Sequence, residues 1–373
     1  EMLRLNGYST SAFGKWHETA AWEASVSGPM TRWPTGPNGG FDKFYGFIGG
    51  ETNQWEPVIF DGVTRVPKKD EEDYHFTADM TTEAVEWVKF QQAMTPEKPF
   101  FIYYATGATH APHHAPKKWI EKYKGKFDKG WQALREETIA RQKKMGVVPE
   151  NTRLAPMPED IKQWNALSDK EKQLFALQME TFAGFAEHTD VEVGRLVDAV
   201  DEIGELDNTI VIFTSDNGGS AEGGLHGTFN ENGFFNGVPN IPYETNSQYM
   251  NEWGNKVGVW HVTAGWTQAG NTPFQYYKQS AHRGGNADAL VISWPEGIAP
   301  ENHGQVRQQY HHIIDIAPTI LEACGVDAPD VIDGVEQMPF DGVPMNYSFN
   351  DARAKDTRTV QYYELFGNRA IYE

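Results

Sequence analysis

The 373-residue chain carries 52 Asp and Glu against 32 Lys and Arg, a formal charge of −20. That balance excludes a nucleic acid as the main partner, because a phosphate backbone needs a basic surface. With 36 Gly, 21 Pro, 12 Trp, 15 Tyr, 21 Phe and one cysteine, Cys324, the composition fits a loop-rich globular enzyme and excludes a disulfide framework or a cysteine-rich zinc site.

No run reaches the roughly 18 apolar residues of a membrane span. The opening EMLRLNGYSTSAFGKWH starts inside a helix-to-strand pattern and GNRAIYE closes inside another, so the fold is expected to continue past both ends. Phe13-Gly14-Lys15-Trp16-His17 reads as extended, which points Lys15 and His17 the same way. Asp73 is placed to cap a helix through Lys89, which Pro96 and Pro99 end before the strand Phe100–Ala105. The loop THAPHHAP comes next, with prolines holding it extended around His110, His113 and His114. A histidine cluster invites zinc, but no Cys or well-spaced carboxylate completes such a site.

Residues 125–170, charged and Pro-containing, read as a surface insertion. From Lys170 to Ile203 the apolar positions recur at helical spacing, and Gly204 can end that helix. Thr209–Phe213 then reads as a buried strand of a parallel sheet. It stops at Asp216-Asn217-Gly218-Gly219, an edge where open α/β sheets bind ligands. A carboxylate beside a carboxamide suits a hard, oxygen-seeking cation; a strand followed by an Asx turn is the competing reading. Residues 221–272 are irregular and rich in Gly, Asn and aromatics, the kind of long segment that is usually functional. Lys278 and His282 sit at i, i+4 spacing before the strand Ala289–Trp294, and Asp315 caps a last helix that Gly325 stops.

Helix and strand patterns alternate, which makes the chain α/β with a central, mostly parallel mixed sheet flanked by helices. Four strand-to-loop junctions then converge on one sheet edge. They carry Lys15 and His17, His110, Asp216 with Asn217, and Lys278 with His282. Two lysines and two histidines around an oxygen-ligated cation describe a pocket for a tetrahedral oxyanion ester, on a chain that is otherwise acidic.

The order GKWH, THAPH, SDNG and NTPFQYYKQSAHRGG resembles the formylglycine-dependent sulfatases of the alkaline-phosphatase superfamily, closest to the bacterial arylsulfatase group. GFDKFYGFIGGETNQWEP, GTFNENGFFNGVPN and YYELFGNRAIY carry the likeness over nearly the whole chain. The resemblance implies an alkaline-phosphatase-like fold and a single catalytic domain over 1–373, incomplete at both ends. It implies one Ca²⁺ held in part by Asp216 and Asn217. Lys15 and His17 would face the formylglycine, with His17 as the base that collapses the sulfated intermediate. His110 would hold the sulfate and protonate the leaving alcohol, and Lys278 would neutralise a sulfate oxygen. Trp55, His261 and His282 are candidate substrate contacts.

The family's nucleophile comes from a C/S-x-P/A-x-R motif, and this chain has none; Cys324 sits in CGVDA. The formylglycine is therefore expected upstream of residue 1, together with the remaining calcium ligands. The implied partners are a small-molecule or glycan sulfate ester and, for the full-length protein, a formylglycine-generating enzyme. A bacterial periplasmic or secreted location is implied by the resemblance alone. The competing functions are a phosphodiesterase or phosphonate monoester hydrolase of the same superfamily and a noncatalytic binder of sulfated glycans.

Overall fold

Three strands run parallel and release their chains at one edge, and that edge positions the site. In the computed structural model, which describes residues 1–25 and 28–373, β1 (Ser9–Lys15) lies between β2 (Lys43–Phe47) and β5 (Phe100–Ala105), parallel to both. β3 (Ile59–Asp61) and β4 (Thr64–Val66) extend the sheet antiparallel, giving the order β4-β3-β2-β1-β5. Gly14 is required where β1 nears its end. Its φ is +99°, and a Cβ there would lie 2.0 Å from the Ala105 carbonyl oxygen.

One face of this sheet is dry. Phe13, Tyr45, Phe47 and Ile59 pack with Phe76, Met80 and Ala84 of the helix Phe76–Met94. That helix starts two residues later than expected and takes His75, not Asp73, as its N-cap, the imidazole accepting from the Thr77 N–H. On the opposite face Phe101 and Tyr103 meet the rings of Phe41 and Trp16, and Tyr103 remains 45% exposed.

The long helix runs Asp169–Glu202, within a residue of expectation, because Ser168 and Glu171 form a reciprocal capping box that satisfies two of its first N–H groups. It crosses to the larger core cluster, where Trp131, Trp164, Phe175 and Trp266 meet edge-on or tilted at 4.9–6.0 Å. Residues 125–170 therefore do not simply lie on the surface. Their helix Gly130–Lys144 and the turn at Trp164 insert two fully buried tryptophans, and Ile161 and Leu167 join them. A charged composition hid four residues that point inward, while Met145 and Val147 of the same segment stay exposed.

The strand expected at Thr209–Phe213 forms as β6 (Val211–Thr214), but neither buried nor parallel. It pairs antiparallel with β7 (Leu290–Ser293) in a separate two-stranded sheet, leaving Phe213 55% and Val291 58% exposed. The apolar run was a correct strand signal; which strand would flank it was not encoded locally. The total accessible surface, 20063 Å², exceeds the about 15,000 Å² of a compact monomer of this mass. At the far end, Asp315 begins the helix Ile316–Ala323, yet its carboxylate binds Arg358 and the His312 and Val343 N–H groups instead of capping that helix.

Trp266 tests how far the large core depends on one ring, since it is 1% exposed and its indole N–H donates to the Phe175 carbonyl at 2.7 Å. Trp266→Ala should cost about 3–5 kcal/mol in urea unfolding, and Trp266→Phe clearly less. A Trp266→Ala midpoint matching wild type would remove this ring from its assigned place.

Candidate active site

Lys15 ends β1, Glu51 lies just past β2 and His110 just past β5, so the parallel strands deliver all three to one edge. From the opposite side the loop after β6 is pinned against the segment before β7. The Gly218 N–H donates to the Gly285 carbonyl at 3.1 Å, and a Cβ at Gly218 would sit 1.8 Å from the Gly284 oxygen. The Lys278 N–H donates to the Gly219 carbonyl, which sets the lysine's path into the same space.

Lys278 is the hub. Its ammonium lies 3.2 Å from His110 Nε2 and 3.0 Å from Glu222 Oε2. His110 Nδ1 is 2.8 Å from the Ala111 carbonyl, an acceptor only, so Nδ1 carries the proton and Nε2 offers a lone pair toward the ammonium. Burial lowers the His110 pKa, and the charges of Lys278 and Lys15 lower it further. Lys15 is also pulled down by burial; Lys278 adds to this, while Asp216, Glu51 and Glu222 oppose it. Three of the four predicted catalytic groups, Lys15, His110 and Lys278, thus share one electrostatic environment.

His17 lies at the rim, exposed, and a Cβ on Gly50 would be 2.9 Å from its ring. Asp216 is exposed, and its carboxylate accepts no hydrogen bond among the described residues. Its charge is felt by Lys15, Tyr103 and Asp288, whose carboxyl burial and Asp216 together push up to about 6. Asn217 donates from Nδ2 to the Gly218 carbonyl at 2.9 Å, which leaves its Oδ1 as an oxygen donor. An uncommitted carboxylate beside an amide oxygen fits a hard cation.

The expected pairing of Lys278 with His282 on one helix face does not occur. Tyr276 and Gln279 have φ of +65° and +71°, which breaks any helix there, and only Arg283–Asn286 is helical. His282 is exposed and its ring lies tilted against Tyr276 at 4.6 Å. Trp55 donates to the Gly254 carbonyl and leans on His75, a strut between segments. His261 is 2% exposed, its Nε2 directed at Ser220 Oγ, so it lies behind the pocket instead of on its open side. His114 bridges the Gly258 carbonyl and the Gln54 N–H in the interior, and His113 is equally buried.

Sequence reasoning missed three glutamates. Glu222 accepts from Ser220, Lys278 and Gln279; burial pushes it up, but the hydrogen bonds and the Lys278 charge outweigh that and hold it below the usual range. Glu51 approaches His110 Nδ1 at 3.8 Å, and its carboxyl is raised, chiefly by burial. Glu231 is 1% exposed; burial, then the charges of Glu51 and Glu222, push it up to about 9. Glu51 was legible in principle, since it stands past β2 at the same strand edge that singled out Asp216.

The sulfatase family model matches residues 1–326. The chain belongs to the sulfatase family. It is 31% identical over 393 residues to an uncharacterized sulfatase of Schizosaccharomyces pombe, covering 100% of this chain and 66% of that protein. It is 26% identical over 359 residues to an arylsulfatase of Klebsiella aerogenes, covering 93% and 71% respectively. The sulfatase chain also superposes on the crystal structure of Ps i-CgsB in complex with k-i-k-neocarrahexaose, with a TM-score of 0.54 at 19% identity, covering 97% of this chain and 59% of that one. The fold is alkaline-phosphatase-like α/β, a mixed sheet with flanking helices. This sulfatase chain therefore spans 66% and 71% of these two relatives' lengths.

The Lys278 hub predicts a titration. In Lys278→Ala, His110 should titrate at higher pH than in wild type, moving back toward the ordinary imidazole value, because a positive neighbour that disfavours its protonation is gone. Histidine ring resonances tracked by NMR against pH read this directly; an unmoved or lower midpoint would contradict the assigned geometry.

Proposed function

We propose that the chain supplies most of the active site of a sulfuric ester hydrolase acting on a small-molecule or glycan sulfate monoester. The observation that carries this reading is the convergence of Lys15, His110 and Lys278 at the strand edge of a sulfatase-family chain. A sulfate ester is a monoanion whose cleavage moves charge onto the leaving oxygen, so paired ammoniums favour the transition state more than the ground state.

Within this reading, Lys278 and Lys15 hold the nonbridging oxygens. His110 works through Nε2, since Nδ1 is committed to the Ala111 carbonyl; protonated there, it can deliver a proton to the departing alcohol. His17, exposed at the rim, takes the role of base. Asp216 and Asn217 contribute oxygen ligands to a Ca²⁺, which when bound supplies positive charge against the sulfate and the nucleophile. The formylglycine nucleophile would come from a C/S-x-P/A-x-R segment outside these residues, made by a formylglycine-generating partner enzyme.

The test uses p-nitrophenyl sulfate and a full-length protein that contains such a segment. His110→Ala and Lys278→Ala should each lower kcat/KM by about 10²–10⁴-fold, and Asp216→Ala should abolish the rise in melting temperature produced by Ca²⁺. The 373-residue chain alone, lacking the motif, should show no turnover. Hydrolysis by that chain alone would overturn the external nucleophile, and full activity in Lys278→Ala would overturn the pocket.

A further inference from the structure

Behind the lysine pocket lies a cluster that the sulfate chemistry does not use. His261 lies on a segment clipped by isolated bridges to residues 228–230, and Glu231 follows directly as the N-cap of the short helix Asn232–Phe235. Thr228 bridges His261, Asn230 bridges Val259, and the Glu231 N–H donates to the Val259 carbonyl at 2.9 Å. This backbone pairing fixes the two side chains relative to each other. His261 Nε2 lies 3.9 Å from Glu231 Oε1, and Glu222, 5% exposed, completes a triad whose ligand atoms all fall within 4.8 Å of one another. Glu51 and His110 form a second triad with the same Glu231 on the pocket side.

Glu231 is the anomaly. Both of its carboxylate oxygens are buried without a hydrogen-bond donor, on a side chain 1% exposed. Buried carboxylates are costly unless a donor or a cation meets them. The nearby donors point at Glu222, Ser220 Oγ donating to it at 2.7 Å and Gln279 Nε2 at 2.7 Å, and Glu51 can meet Glu231 only when one of the two carboxyls is protonated. Lys278 reaches Glu222 and His110.

His261 is in the state a metal ligand needs. Its Nδ1 is 2.9 Å from the Val262 carbonyl, which can only accept, so the proton is on Nδ1 and Nε2, 3.1 Å from Ser220 Oγ, carries a lone pair. Burial holds its pKa down at about 4, so the ring is neutral at ordinary pH. An imidazole oriented by a backbone carbonyl, beside a carboxylate oriented by Ser220, Gln279 and Lys278, repeats the outer-shell arrangement that aims metal ligands.

We propose that Glu222, Glu231 and His261 form a divalent-cation site, separate from Asp216 and Asn217, with Glu51 and His110 at its pocket side. Mixed imidazole and carboxylate donors select an ion of the Mn²⁺ or Zn²⁺ class over Ca²⁺, which prefers all-oxygen ligation. The cation would answer the unmet Glu231 oxygens and balance three carboxylates that otherwise face Lys278 and Lys15. It would also couple the site to catalysis, because Glu222 anchors Lys278.

The rival state is a protonated Glu231 sharing its proton with Glu51, and the two separate cleanly. Chelator-stripped protein in an Asp216→Ala background, which removes the other cation site, is titrated with Mn²⁺ and monitored by thermal melting and pulsed EPR. The site predicts saturable binding of one ion, a melting rise of about 2–5 °C and a nitrogen coupling from His261. Glu231→Gln, which mimics the neutral acid and should fold, loses at least about tenfold in affinity, a shift of one decade in the dissociation constant. His261→Gln keeps weaker binding but loses the nitrogen coupling. Absence of saturable Mn²⁺ binding, equal binding in Glu231→Gln, or no nitrogen coupling in the parent protein would each overturn the site.

Discussion

The Lys278 ammonium, held between Glu222 and His110, is the contact on which the pocket depends. It joins three segments distant in sequence: the loop after β5, the loop after β6 and the irregular stretch before β7. It also sets the protonation logic of its neighbours, depressing His110 and stabilising ionised Glu222. Removing one partner of a buried pair leaves the other uncompensated, so these groups are best understood as one unit. A lysine is well suited to this place, because a compact ammonium with three donors can face an imidazole, a carboxylate and an incoming oxyanion together.

An acidic chain that accommodates an anion must solve an electrostatic problem locally. With a formal charge of −20, the long-range field repels a sulfate ester. Screening confines that field to about 8–10 Å at physiological salt, so the immediate neighbours decide. Here the neighbours include Glu51, Glu222 and Glu231 as well as Lys15 and Lys278. Three carboxylates against two ammoniums leave one negative charge, which protonation of one buried glutamate cancels and ligation of a divalent cation reverses.

Most of the candidate site was legible because its residues announce themselves by position. Lys15, His110 and Asp216 each stand at or just past the end of an apolar β-rich run, and the parallel strands β1, β2 and β5 bring their C-terminal loops to a common edge. The long helix was equally plain, since its period and the Ser168–Glu171 box agree. The misreadings all concern features set by distant packing. Lys278 and His282 had helical spacing, yet the chain there obeys backbone contacts to Gly219 and Gly284 instead of forming a helix. The burial of Trp131 and Trp164 was hidden by charged neighbours. Glu231 gave no local signal, because its role arises from a pairing with residues 259–261.

The outer position of β5 has a practical consequence. Phe100–Ala105, FFIYYA, is an apolar, aromatic, uncharged outer strand, and Tyr103 and Phe213 leave further apolar surface in contact with water. Such an edge is a template onto which another extended segment can add by main-chain hydrogen bonding. High net charge keeps copies apart at low ionic strength but is screened in concentrated salt. A charged residue at Tyr103 is the smallest change that would make this edge a poorer template for such addition.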